Sequence, residues 1–194
     1  NGENQNQLHF YLNNLIPEHD LMIVSDYGHG FISTKTAKYL SNQSIYKSLN
    51  AQINAANIGY HNMNNYSNID CAIINAGELR HELRNRESSI ETLMKSLAKS
   101  MNAKSLVVTQ GKQGATLYNL DNDKYHHCPA FAAEVVDKIG AGDAMLALLS
   151  CTLKSGYDPK ISLFLGSLAA AQSVETIGNS TPVSKVQLLK TYSH

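Results

Sequence analysis

Three short apolar runs constrain this chain more than anything else in it: LMIVSD at 21–26, IDCAII at 69–74 and KSLVVT at 104–109. Each carries an unbroken apolar stretch of three or more residues, as a strand buried on both faces must, and does not alternate like a half-exposed strand. Helical spacing fills the intervals. Leu8, Tyr11, Leu12 and Leu15 share one face of a helix over 5–16, which Pro17 stops. Ser33 caps a helix expected from Thr34 to about Tyr46. NAGELRHELR opens a helix directly after the second run, and Ile90, Leu93, Met94 and Leu97 point inward from a helix over 89–101. Buried strands alternating with amphipathic helices predict an α/β fold, a largely parallel sheet with helices on both faces. ATLYNL and KYHHCP, joined by the turn DND, break the alternation and read as a strand pair. Helices over 141–154, 159–177 and 184–192 follow. With no repeat, linker or low-complexity tract, residues 1–194 read as a single α/β domain.

Charge excludes some partners. Sixteen basic residues balance sixteen acidic ones, so nothing favours nucleic acid or an anionic membrane surface. No apolar run approaches a membrane span, and NGENQNQLHF is polar where a signal peptide would be apolar. Cys71, Cys128 and Cys151 form no CxxC pair and cannot all pair with one another. They are expected to be reduced thiols in a cytoplasmic protein, with the sequons at Asn42, Asn65 and Asn179 unused.

The chemistry concentrates in VDKIGAGDAMLA (136–147), where glycines and an acid stand at the mouth of a helix. A dinucleotide fingerprint fits poorly: GHGFIS and GAGDAM have two glycines each, but Ser33 and Met145 stand where Gly or Ala belongs. Lys112 in GKQGAT lacks the glycine spacing and hydroxyl neighbour of a Walker loop. Two readings of GAGD remain. Asp143 can simply complement the helix dipole. Alternatively, the N–H groups of Gly140, Ala141 and Gly142 turn toward an anion at the helix start, and Asp143 accepts a proton beside it.

These residues resemble the PfkB, or ribokinase-like, carbohydrate kinases, whose signature is matched by Asp137-Lys138-Ile139-Gly140-Ala141-Gly142-Asp143. NAGE (75–78) is similar to the family's N-x-x-E motif, and VTQGKQGA (108–115) to its strand and turn at the nucleotide. DYGHG, followed by NAQINAANIGYHNM, is most similar to the heptose-phosphate kinase branch, often joined to nucleotidyltransferase domains. The resemblance runs from about Leu21 to Val183.

It implies in-line transfer of the ATP γ-phosphoryl group to a hydroxyl of a sugar or sugar phosphate. Asp143 would be the base, and the amides of Gly140, Ala141 and Gly142 would stabilise the transferring oxygens. Asn75 and Glu78 would hold Mg²⁺, although as an isolated pair they also read as a helix cap and its capping-box partner. Gly111, Lys112, Gly114 and Ser167 would line the nucleotide. Asp26 and His29 lie where α/β sheets place ligand loops and are substrate candidates. His126-His127-Cys128 suggests a metal, but on a strand the two histidines face opposite ways. Two departures stand out: Lys138 replaces a small hydroxyl residue, and Ser167 an asparagine near adenine. The family's N-terminal part, with its sugar-binding glycines and lid, is expected to be missing. The chain then reads as the nucleotide-binding half, inactive alone, and either self-associating through an exposed sheet edge or poorly stable by itself. The rivals are a non-catalytic nucleotide-binding module and a dinucleotide-binding domain.

Overall fold

The computed structural model describes residues 2–52, 63–132, 135–177 and 180–192. The elements are α1 (Gly2–Leu15), β1 (Leu21–Asp26), α2 (Thr34–Ser41), β2 (Tyr46–Ala51), β3 (Cys71–Asn75), α3 (Ala76–Glu82) and α4 (Ile90–Met101). They continue with β4 (Ser105–Thr109), β5 (Ala115–Asn119), β6 (Lys124–Cys128), α5 (Ala141–Lys154), α6 (Pro159–Val174) and α7 (Lys185–Tyr192). The six strands form one sheet in the order β1-β2-β3-β4-β5-β6. β1 to β4 run parallel, and β5 and β6 add an antiparallel hairpin to β4.

The continuous apolar runs follow from a sheet covered on both faces. On one face, Ala72, Ile74, Leu106 and Val108 pack with Ala37 and Leu40 of α2, Leu79 of α3, and Leu93, Met94 and Leu97 of α4. On the other, Cys71, Ile73, Val107 and Leu117 meet Met145, Leu146 and Leu149 of α5 and Leu163 of α6. Successive strand residues thus feed opposite cores, the period-2 geometry of a pleated strand.

β2 corrects the sequence reading. The helix expected to reach Tyr46 ends at Ser41, and Tyr46–Ala51 form an inner strand. Lys47, Ser48 and Asn50 are buried there despite their polarity. Lys47 explains its own place: its Nζ donates to the carbonyls of Ser41 (3.1 Å) and Gln43 (2.7 Å), closing the end of α2, and burial pushes its pKa down. Most of NAQINAANIGYHNM lies outside the described residues.

The strand order also removes the dinucleotide alternative. That fold places its first strand centrally, beside the crevice where the order reverses. Among the described residues the order runs from β1 to β6 without reversal.

Candidate active site

Parallel strands deliver their ligand-facing loops at their carboxyl ends. β1 ends there with Ser25-Asp26, followed by Tyr27, β2 with Asn50-Ala51, and β3 with Asn75, in register with Thr109 of β4. α5 begins at the same edge. Asp137 Oδ1 accepts from the Ile139 amide at 3.0 Å and shapes the approach. Gly140, in the left-handed region at φ 80°, is the N-cap, and its carbonyl accepts the Ala144 amide at 2.9 Å.

Among the described residues no side chain caps this helix. The Ala141 N–H turns to the Lys138 carbonyl through a long 3.4 Å bond. Among the described residues the amides of Gly140, Gly142 and Asp143 have no protein acceptor. The donor set at the helix mouth therefore differs by one residue from the expected Gly140, Ala141 and Gly142. Unpaired N–H groups at the positive end of a helix favour an anion.

Asp143, half-buried in the first turn of α5, is held by three side chains. Ser25 Oγ and Asn50 Nδ2 each donate to its Oδ1 at 3.0 Å, and Tyr27 OH donates to its Oδ2 at 2.9 Å. The bond to Asp143 is the main reason the Tyr27 phenol pKa is pushed up, with burial and the carboxylate charge adding to it. Sequence reasoning missed Ser25, Tyr27 and Asn50. Strand alternation carries a signal for the first pair, because Ser25 and Tyr27 must face opposite Asp26. Asn50 sits in the strand whose polar sequence hid it.

Asp26 faces the other way. Only 5% exposed, it accepts from the Gly28 amide at 2.9 Å and from Tyr66 OH at 2.5 Å, fixing the loop after β1. Burial, and then this bond, pushes the Tyr66 phenol pKa up. His29 is exposed on the same loop.

Asn75 and Glu78 lie at the same sheet edge as Asp143. They form a capping box: Asn75 Oδ1 accepts from the Glu78 amide at 2.8 Å, and Glu78 Oε2 accepts from the Asn75 amide at 3.3 Å. Their donors are hard oxygens, a carboxamide and a carboxylate, which suit Mg²⁺ held mainly through water. Among the described residues no group of three or more His, Cys, Asp or Glu is placed to hold a metal. His127 Nδ1 instead meets Thr116 Oγ1 at 3.3 Å.

The β4–β5 turn contains Gly111, exposed Lys112 and Gly114. Ser167 is buried on α6, and burial pushes the nearby Cys128 thiol pKa up.

This sheet, with its helices on both faces, is the ribokinase-like α/β fold. A ribokinase from Thermotoga maritima superposes with a TM-score of 0.74 at 19% identity, covering 93% of this chain and 59% of its own. Phosphofructokinase-2 from Escherichia coli, solved with substrates and products, gives a TM-score of 0.76 at 16% identity, covering 95% of this chain and 61% of its own. The chain belongs to the pfkB family of carbohydrate kinases, whose sequence profile matches residues 13–186. It is 28% identical to the bifunctional protein HldE of Koribacter versatilis over 177 residues, which is 90% of this chain and 35% of that protein. Against HldE of Campylobacter concisus the identity is 30% over 160 residues, or 82% of this chain and 33% of that protein. The chain thus spans about a third of these curated relatives. Among the described residues no helix is long and apolar enough to cross a membrane.

Proposed function

We propose that this chain supplies the ATP site and the catalytic base of a kinase that phosphorylates a hydroxyl of a sugar or sugar phosphate. One observation carries the reading: a carboxylate held by three donors stands beside helix-start amides with no protein acceptor. Phosphoryl transfer needs this pairing of charge stabilisation with an oriented base. Ser25, Asn50 and Tyr27 orient Asp143, and Asp143 takes the proton of the attacking hydroxyl. The amides of Gly140, Gly142 and Asp143 receive phosphate oxygens.

Asn75 and Glu78 are the proposed Mg²⁺ residues, acting mainly through water. A cation held there would supply positive charge against the phosphates. Gly111, Lys112 and Gly114 form the proposed wall along the nucleotide, with Ser167 behind it between α6 and β6. His29 is the remaining substrate candidate, whereas the Asp26 carboxylate is committed to holding its loop. The bifunctional relatives and the resemblance to heptose-phosphate kinases support a sugar-phosphate acceptor and a joined nucleotidyltransferase domain. Edge strand β1, with Ile23 41% exposed, supports a homo-oligomer. Three unpaired cysteines support a reducing, cytoplasmic setting.

The test is ATP-dependent phosphorylation of a panel of sugars and sugar phosphates by the full protein, with and without Mg²⁺. Transfer to one acceptor class, lost on chelation, is expected. ATP binding with no transfer to any acceptor would select a kinase-like binding module instead.

A further inference from the structure

All three arginines of this chain fall between residues 80 and 86, from the last turn of α3 into the segment that follows it. Arg80, Arg84 and Arg86 line one cleft of about 610 Å³ with His81, Asn85 and Glu87, where α3 ends and the chain turns toward α4. Its floor is tightly bonded. Arg80 Nη1 donates to the carbonyls of Arg86 (2.8 Å) and Ser88 (3.0 Å). Asn85 Oδ1 accepts from the amides of Glu87 (3.1 Å) and Ser88 (3.0 Å). Among the described residues neither Arg84 nor Arg86 has an acceptor for its guanidinium.

The backbone adds an independent observation. The Asn85 amide donates to the Arg80 carbonyl at 3.0 Å and the Arg84 amide to that of His81 at 3.2 Å, a Schellman ending. The left-handed position of that motif is ordinarily glycine, because a side chain there is strained. Here it is Arg84, at φ 49°. Folding alone favours a different residue, so the arginine serves something its side chain does. The helix dipole accounts for Arg80 and His81 in the last turn of α3. It does not account for Arg84 and Arg86, which lie beyond the helix.

We propose that this cleft binds a phosphorylated small molecule, a phosphomonoester or diphosphate gripped by Arg84 and Arg86 above the platform fixed by Arg80 and Asn85. Arginine's planar fork matches phosphate oxygens two at a time, which a lysine cannot do. Three arginines against Glu87 leave an excess of two positive charges, suited to a doubly charged group. The volume falls within the small-ligand range. No aliphatic, Phe, Tyr or Trp side chain lines it, so a protein partner would find no large apolar anchor. The site is separate from Asp143: Leu79 of α3 packs into the core on one sheet face, and Met145 and Leu146 of α5 into the other. The proposal therefore stands whether or not the chain is a kinase.

Because the arginines are so few, their side-chain Nε–Hε resonances report on this cleft and not on the helix start at Gly140. The protein is titrated with inorganic pyrophosphate in a phosphate-free buffer, and the cross-peaks are assigned by single Arg→Lys variants. Arg84 and Arg86 signals are expected to move along a saturating curve that chloride at matched ionic strength does not reproduce. The double variant Arg84→Gln with Arg86→Gln should weaken binding by about tenfold or more. Arg84→Gly should lose binding while raising Tm, which separates function from folding. A linear drift shared with chloride overturns the proposal. So does a glutamate-rich peptide that saturates at lower concentration than pyrophosphate, since the cleft would then serve an acidic protein segment.

Discussion

Gly142 occupies a helical position that folding would rather give to alanine. It is the second residue of α5, and a Cβ built there would meet only Asn50 Nδ2, at an ordinary contact distance of 3.8 Å. Alanine in a helix is favoured over glycine by about 1 kcal/mol. The absent side chain is thus unexplained by packing and fits a phosphate approaching the amide closely. Gly142→Ala is expected to raise thermal stability slightly while weakening ATP binding about tenfold or more, the loss of roughly one charge-assisted hydrogen bond. Calorimetry and a nucleotide titration on the same preparation check both halves. Unchanged ATP affinity would assign the glycine to some other cause.

Among the elements, the β4–β5 turn separates two glycines that look alike in sequence. Gly114, at φ 87°, has no room for a side chain: a Cβ would lie 2.0 Å from the Cys128 carbonyl oxygen and 2.7 Å from the Pro129 carbonyl carbon. Gly111, at φ 59°, faces open space. Gly114→Ala should cost about 3 kcal/mol or more, because backbone must move, whereas Gly111→Ala should cost about 1 kcal/mol for its left-handed conformation alone. Urea unfolding of the pair checks the order, and equal losses would contradict it. The same turn was legible beforehand, as were β1, β3, β4, the β5–β6 hairpin and α4 with its Ser89 cap, because apolar period and turn chemistry agree there. β2 was not legible. Its buried Asn50 answers to Asp143, 93 residues away, and its buried Lys47 folds back onto the end of α2, so the polarity of the run carries no strand signal of its own. Asp143 could be read from its glycines, but the three donors that orient it come from β1 and β2 and emerge only from the pairing.

For the molecule as a whole, the pH signature that sets in first on the alkaline side lies in the sheet core. Cys71 on β3 has no exposed surface, and burial, with the Asp70 charge adding, pushes its thiol pKa from 9.0 up to about 12. The folded state keeps the proton longer than the unfolded chain does. Stability from this thiol is therefore complete below about pH 9 and is lost as the pH rises toward 12, at up to about 1.4 kcal/mol per pH unit. Tyr46 and Tyr66, also pushed up chiefly by burial, act in the same direction above about pH 10. Unfolding free energy should fall across that alkaline range, and Cys71→Ala should flatten the first part of the fall. A profile that is level above pH 9 would contradict the buried, protonated thiol.

The kinase reading rests in the end on what Asp143 does. Phosphoryl transfer and ATP affinity, measured together for the wild-type protein and Asp143→Asn, separate the base from the binding site most directly. With Asp143 as the base, the variant binds ATP about as well as the wild type and transfers about 10²–10⁴-fold more slowly. Transfer at an undiminished rate would show that this carboxylate only complements the helix, and that the proton leaves by another route.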